Sequence, residues 1–426
     1  MNIVLNPVII NSVIAVIITV LICLVVSTFL PGIERKYVHA RIQQRIGPPV
    51  TSPGIFAPIK FMFKENIEPN SPVSGLYKAL PIVCFLVVLC LIIILTPQLF
   101  VIPALASIVA IVGLLKVEEV CYVLMGALSK SIMSLPMPFP DTIKGAVHRD
   151  SERSFIEDLS AKRSLRMIAY GSFPLYLALF VPVTQARSIF LPTIVSYQFT
   201  HGPVLFTASG IVGAIVFFIG YMIMLNEYPF SIIKAKSDVI EGPYMEYASK
   251  YRAVVYITRG FLMFTLAALF LVLYCGIPLF GLGIIFAIIA ALVFVLFMGI
   301  FSAFTPVFTN KQLYPVIVGL SLLGVLAIVF LVNMFLWFVF DLPSLIRMDA
   351  PLWIGLLSAL SFFPGITISL LNDDKKYLTF LKDLVGYWLY CFHLIPLFFR
   401  TMGVMILRRE RKWDKTTHNG IKEDSS

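Results

Sequence analysis

Apolar runs of 18 or more residues recur along this chain, from the stretch at 9–29 to the one at 352–371. Inside a bilayer no water is available to the backbone, so only helices and closed barrels can cross it. A membrane barrel would be written in short alternating strands, whereas these runs are continuous and long enough for one helical crossing each. The fold class is therefore an all-α polytopic membrane protein. The composition agrees: 59% of residues are hydrophobic and 13% charged, where a soluble domain carries about 25% charged residues. A soluble globular domain, a disordered chain and a secreted disulfide scaffold are excluded.

Full crossings are expected at about 9–29, 79–96, 99–116, 167–184, 208–226, 253–276, 282–302, 315–338 and 352–371. The first apolar run has no charged region before it and no small-residue cleavage site after it, and reads as a retained span. The net charge of +10 would suggest nucleic acid in a soluble chain; here it marks cytoplasmic loops. Arg35, Lys36, Arg41, Arg45, Lys60, Lys64 and Lys78 crowd the segment 31–78, 116–166 is also rich in Lys and Arg, and Lys234, Lys236, Lys250 and Arg252 lie in 227–252. These segments alternate with loops almost free of basic residues, so the N-terminus is expected outside.

The stretch 384–406 is apolar but holds His393, Pro396 and Arg400, and is followed by Arg408, Arg409, Arg411 and Lys412. A crossing there would bury Arg400 at a cost of about 2.5–3.5 kcal/mol and export the basic cluster. An interfacial or re-entrant helix is expected instead, with the C-terminus cytoplasmic. The six cysteines form no CxxC pair, five of them lie in or beside apolar runs, and the five histidines are scattered. No metal site and no catalytic residue is indicated.

Two polar segments carry the information about function. The first runs Glu34-Arg35-Lys36-Tyr37-Val38-His39-Ala40-Arg41-Ile42-Gln43-Gln44-Arg45-Ile46-Gly47-Pro48-Pro49 and ends at Lys64-Glu65. Charge alone would make it a solvated juxtamembrane loop. Its order suggests more: acid, bases and glutamines sit at a membrane boundary, and a rigid Gly-Pro-Pro turn fixes the exit. The second holds Glu227 at the inner end of a span, then Asp238, Glu241 and Glu246. Carboxylates shielded at a membrane edge can relay protons; equally, a solvated acidic loop balanced by Lys234, Lys236 and Lys250 would look the same.

The first segment resembles the ERK-x-x-A-R-x-Q-x-R-x-G-P motif of the membrane-heel subunit of respiratory complex I, the H-type or subunit 1 of NADH dehydrogenase, which also occurs in membrane-bound hydrogenases. Asp238 to Tyr247 resembles its E-x-x-x-G-x-x-x-E-Y motif, and Asn310-Lys311-Gln312 the short polar loop before its last helix. The resemblance covers about 9–338 and implies a bundle of about eight helices, as domain 1–338. Residues 339–426 then form a membrane-associated extension with a basic tail. That tail, Arg408 to His418, resembles the end of processive family-2 glycosyltransferases, but nothing in this chain could be their catalytic domain, so it reads as a surface anchor.

Departures from the family pattern are informative. Ala57 stands where the family has Asp, and Ser231, Lys234 and Lys236 stand where it places acids. Tyr122 to Leu128 resembles the family's Y-A-L-L-G-A-L, while its Ser-Tyr-Glu-x-Pro is echoed only by Ala169 to Pro174, without the Glu. An insertion at about 129–163 is expected, and the intramembrane Glu of that helix is absent.

The resemblance closest to the archaeal membrane-bound hydrogenase and sulfane-sulfur reductase branch implies a non-catalytic connector in the cell membrane. It would dock the peripheral iron–sulfur redox arm through Glu34, Arg35, Arg41, Gln43, Arg45, Lys64 and Glu65, and couple electron transfer to ion translocation. Glu227, Asp238, Glu241 and Glu246 are the proton-path candidates. The implied partners are iron–sulfur and large hydrogenase-like subunits, antiporter-like membrane subunits and lipid, with no nucleic acid. Iron–sulfur clusters, with or without a nickel–iron site, would belong to the partners and none to this chain. The alternatives are a quinone- or phenazine-binding subunit of a divergent complex I, and a stand-alone transporter, which would show a broken helix pair or an inverted repeat.

Overall fold

The computed structural model describes residues 7–66, 71, 73–97, 106–129, 155–234 and 241–340. The whole extension, with the crossing expected at 352–371 and the interfacial helix at 384–406, lies outside the described residues. So do Lys236, Asp238 and most of the 129–163 segment.

The described chain is helical. Its helices are α1 (Pro7–Ile33), α2 (Ala57–Met62), α3 (Ser74–Ile94), α4 (Ile108–Ala127), α5 (Phe155–Arg166), α6 (Phe173–Ala186), α7 (Leu191–His201), α8 (Ala208–Met224), α9 (Ser249–Cys275), α10 (Leu282–Phe304) and α11 (Asn310–Phe340). Their ends follow local chemistry. Ser107 and Thr207 cap α4 and α8 by accepting from the amides of Ala110 and Gly210 at 3.3 and 3.0 Å, which satisfies donors a helix start leaves open. Gly276, at φ 69°, turns the chain out of α9, a left-handed conformation that glycine takes without steric cost.

Among the described residues, five stretches are long and apolar enough to cross a membrane: Asn11–Ile42, Ser74–Ile94, Leu159–Ala186, Ser249–Cys275 and Leu282–Phe304. Ala208–Met224 and Gln312–Val325 are shorter apolar helices. Together these coincide with all the crossings expected before residue 339 except 99–116. There the structure differs. Residues 98–105 are outside the described set, and α4 does not stop at Lys116 but continues through Glu118 and Glu119 to Ala127. The helix tolerates these charges because other elements of the fold neutralise or enclose them.

Helix α9 is the axis of the bundle. Of its most apolar 18 residues 67% are buried, against 28% for α1. It packs on α1, α2, α3 and α10, while α6, α8 and α11 pack on one another beside it. Phe217, Phe261, Phe264, Tyr221 and Tyr274 are fully enclosed in this core. Rings of α8, α9 and α10 interlock there, with Phe217 and Tyr221 edge-on to Phe294, a geometry that aligns ring edge with ring face. Val13, Ile17, Leu21 and Val25 on α1, and Ile285, Phe286 and Ile289 on α10, are exposed instead. Such apolar faces suit lipid or another membrane helix.

The segment after α1 is folded onto the bundle. A π-helical stretch, Glu34–His39, extends α1, and a second, Ser52–Phe56, leads into α2. A Cβ at Gly32 would lie 1.7 Å from the Val50 carbonyl oxygen, and one at Gly54 1.6 Å from that of Thr28. Only glycine permits so close a backbone approach. The segment is further held by Phe61 stacked on Tyr256, by Ser249 Oγ donating to the Lys64 carbonyl at 2.8 Å, and by His39 bonded to Ser302 at 2.6 Å.

Part of the expected insertion is structured: residues 155–163 begin α5, which packs on α4 and on the turn Gly242–Tyr244. Ser160 and Arg163 donate to the carbonyls of Ile233 and Ile232, each at 3.2 Å. The helix thereby pins the turn that follows Glu227.

Candidate functional site

Two clusters of ionisable side chains lie inside the described bundle, separated by the turn that ends α8. Asn226 makes that turn in the left-handed conformation, φ 51°, which Asn tolerates better than most residues. Leu225 and Asn226 face one cluster, and Glu227 belongs to the other.

The first cluster joins α1, α8, α9 and α10. Glu34, at the start of the first π-helical stretch, is 7% exposed, whereas Arg35, Arg41, Gln43, Arg45, Lys64 and Glu65 are on the surface. Glu34 lies 3.3 Å from His39 Nε2 and is acted on by Arg259 and Arg35. Arg259, from α9, forms an ion pair with Glu227. The Tyr221 hydroxyl, beside Glu34 and Arg259, has no hydrogen-bond partner among the described residues. A π-helical turn frees backbone groups from the regular ladder and recurs at functional positions; here it takes over from the α-helix at the residue that enters the charged interior.

The second cluster joins α4, α6 and the turns around them. Lys116 Nζ donates to Glu119 at 2.7 Å, to Ser172 Oγ at 2.8 Å and to the Ile168 carbonyl at 3.0 Å. It also lies 4.5 Å from the centre of the Tyr176 ring, whose hydroxyl donates to Glu119 at 3.2 Å. Glu119 is thus held by an ammonium and a phenol. It faces Ser172 and Tyr176, close to the Ala169–Pro174 sequence that lacks a Glu of its own. The third π-helical stretch, Met167–Gly171, lies in the same place and supplies the Ile168 carbonyl.

Glu118, one residue earlier, is different. It is 0% exposed, and neither of its carboxylate oxygens has a hydrogen-bond partner among the described residues. It lines a cavity with about 20 Å³ open to the centre of a water molecule, shared with Glu119, Tyr122, Ser164, Ser172 and Asn226. Lys234 approaches from the loop after Glu227. Its ammonium donates to the Leu225 carbonyl at 3.4 Å, lies 5.3 Å from the centre of the Tyr244 ring, and feels the charge of Glu118. Burial pulls the Lys234 ammonium down to about 8, with Glu118 opposing the shift.

The residues singled out in the sequence are therefore dispersed. Glu34 and Glu227 meet at Arg259. Glu241 is half-exposed and paired with Arg252, which also donates to the Tyr244 carbonyl; burial raises the Tyr244 hydroxyl well above its ordinary value. Glu246 is half-buried and Ser231 buried, and Ala57 starts α2 half-buried. Sequence reasoning missed Arg259, Lys116, Glu118, Glu119 and Tyr176. A signal existed for the first of them: an arginine within an apolar crossing marks an inward face.

Comparison with known proteins agrees with this architecture. The profile of the family described as NADH dehydrogenase matches residues 13–135 and 156–335; its interruption, 136–155, falls within the segment expected as an insertion. An uncharacterised protein of Methanocaldococcus jannaschii is 42% identical over 316 residues, covering 72% of this chain and 93% of that protein. The H-type subunit of the NADH-quinone oxidoreductase of Orientia tsutsugamushi is 25% identical over 277 residues, covering 63% and 74%. A chain in the structure of the membrane-bound sulfane sulfur reductase, an archaeal respiratory membrane complex, superposes with a TM-score of 0.60 at 22% identity, covering 75% of this chain and 98% of that one. The extent of the profile match and the close relative make the conclusion plain: this chain is a membrane protein of the NADH dehydrogenase family, homologous to the H-type subunit.

Proposed function

We propose that this chain is the membrane connector of an energy-converting respiratory complex of the hydrogenase or sulfane-sulfur reductase type. Its charged platform would dock a peripheral redox arm and couple electron transfer to ion translocation. The observation that carries this reading is the division of labour within one segment. Glu34 turns inward to the Arg259–Glu227 pair. Arg35, Arg41 and Arg45 stay outside on a backbone fastened to the bundle. Around them Ile46 is 99% and Phe63 87% exposed. Apolar side chains left bare among charged ones suit a protein partner better than water or lipid.

On this reading iron–sulfur clusters, and a nickel–iron site where there is one, reside in the docked subunits, and antiporter-like subunits continue the membrane arm. The platform faces the cytoplasm of a cell-membrane complex whose N-terminus is outside and C-terminus inside. Charge movement in the redox arm would act first on Glu34 and then, through Arg259, on Glu227; Asp238, Glu241 and Glu246 would extend that path along the same side. The buried packing of Phe230 against Phe308 and of Ser231, Ile232 and Ile233 favours this reading over a quinone or phenazine site at that turn.

Replacing Arg41 and Arg45 together by Glu tests the docking role. The expected outcome is release of the peripheral subunits from purified membranes, with this chain still inserted. A full complement of peripheral subunits on the variant would overturn the assignment.

A further inference from the structure

The cavity at Glu118 collects buried oxygens that lack a well-formed hydrogen bond among the described residues, although the Tyr122 hydroxyl acts on the Glu118 carboxylate. Glu118 contributes both carboxylate oxygens, Ser164 its hydroxyl and Asn226 its side-chain carbonyl; these residues are 0%, 1% and 6% exposed. They come from three separate elements, α4, α5 and the turn after α8, and all line the one cavity. A buried polar atom without a partner costs on the order of 1–3 kcal/mol, more if charged. Where such atoms converge on a space that can hold a water, a water is the ordinary solution. The space here, about 20 Å³, accommodates one.

We propose that water occupies this cavity and that Glu118 is a proton-exchanging carboxyl served by it, with Lys234 as its counter-charge. The chemistry balances simply. The carboxylate takes a proton from a hydrated proton delivered through the cavity, leaving water, and returns it the same way. No electron moves and no bond between heavy atoms changes. Below about pH 8 Lys234 keeps its own proton, so protonation of Glu118 leaves the ammonium without its opposing charge.

Every element packed around Glu118 bears on this exchange. Glu119, Cys121 and Tyr122 stand on its own helix, Lys234 on the loop, Tyr176 on α6, and Tyr244 and Cys84 act from the Gly242–Tyr244 turn and α3. Among these, Glu119 is already occupied by Lys116. Glu118 is therefore the member free to change state. Tyr122 also acts on Arg259, which places the proposed exchange site within electrostatic reach of the Glu34–Arg259–Glu227 cluster.

The proposal deepens the coupling role argued above, and its test separates the two. Infrared difference spectra of the intact complex, taken as pH is stepped, should contain a protonated-carboxyl band that shifts in heavy water and disappears in Glu118→Gln. The ratio of ions moved to electrons transferred should fall in that variant, with electron transfer itself preserved. If Glu118→Gln does not assemble, Glu118→Asp should assemble and move the band rather than abolish it. A band unchanged in both variants, or an unaltered ratio in an assembled Glu118→Gln complex, would overturn the proposal. A wild-type complex that moves no ions would instead overturn the coupling role and leave the infrared result to stand by itself.

Discussion

Glu227 and Glu118 lie on either side of one short turn, yet the protein treats them in opposite ways. Glu227 is matched to a guanidinium, and Glu34 shares the same cation and a histidine. Glu118 has a cavity beside it and only the Tyr122 hydroxyl and the more distant charge of Lys234 to act on it, while its neighbour Glu119 takes the nearby ammonium. Removing two opposite charges from water together is costly but settled, because each offsets the other. An enclosed carboxylate beside space for water is not settled in this sense: its protonation state can follow its surroundings. The contrast suggests a division between a fixed electrostatic frame and a responsive element attached to it.

The largest expected effect comes from breaking the frame. Arg259→Met leaves both Glu34 and Glu227 without their cation. Removing one partner of a buried pair costs about 3–5 kcal/mol, and the partial exposure of Arg259 places this case at or below the lower end. Greatly reduced recovery of the assembled complex after extraction is expected, with partial rescue by Arg259→Lys. Normal assembly of the Met variant would mean that the frame contributes little.

A smaller effect is expected at Lys116, whose ammonium satisfies three oxygens on separate elements. Lys116→Met should lower the thermal midpoint of the purified complex by several degrees, for a loss of about 1–3 kcal/mol. The double variant Lys116→Met with Glu119→Gln should recover part of that loss, because the stranded charge is gone. If the double variant is no better than the single one, Lys116 matters by packing on Tyr176 and not by charge.

The smallest effect is one of pH. Burial lowers the Lys234 ammonium from its ordinary value of 10.5 to about 8. The unfolded chain therefore holds this proton up to higher pH than the folded one, and stability from this group increases as pH rises from 8 toward 10.5. Below pH 8 both states hold the proton, and the full cost of burying the ammonium is present. Thermal midpoints of the wild type and of Lys234→Met, compared between pH 7 and 10, should drift in favour of the wild type. A constant difference would show that Lys234 is not enclosed as described.

Among the described residues, the crossings other than 99–116 were legible in the sequence because an uninterrupted apolar run of that length is rarely anything but a span, and Glu34 and Glu227 were legible because they end such runs. The second cluster was not. Lys116, Glu118 and Glu119 look like the start of a solvated loop, so the expected crossing stopped at 116. What surrounds them inside the bundle are Ser172, Tyr176, Ser164 and Lys234, all at least 45 positions further along the chain. No local pattern announces that meeting. Lys234 illustrates the same gap: its position on the loop was visible, but its counter-charge on α4 was not.

The two glycine crossings between α1 and the segment that follows it have a mechanical consequence. At Gly32 and Gly54 main chain rests directly on main chain, with no side chain between them to yield. A load applied to the outer arginines would therefore be expected to reach the end of α1 as a tilt and not to be dissipated in a compliant loop. Glu34 sits at that pivot, two residues beyond Gly32.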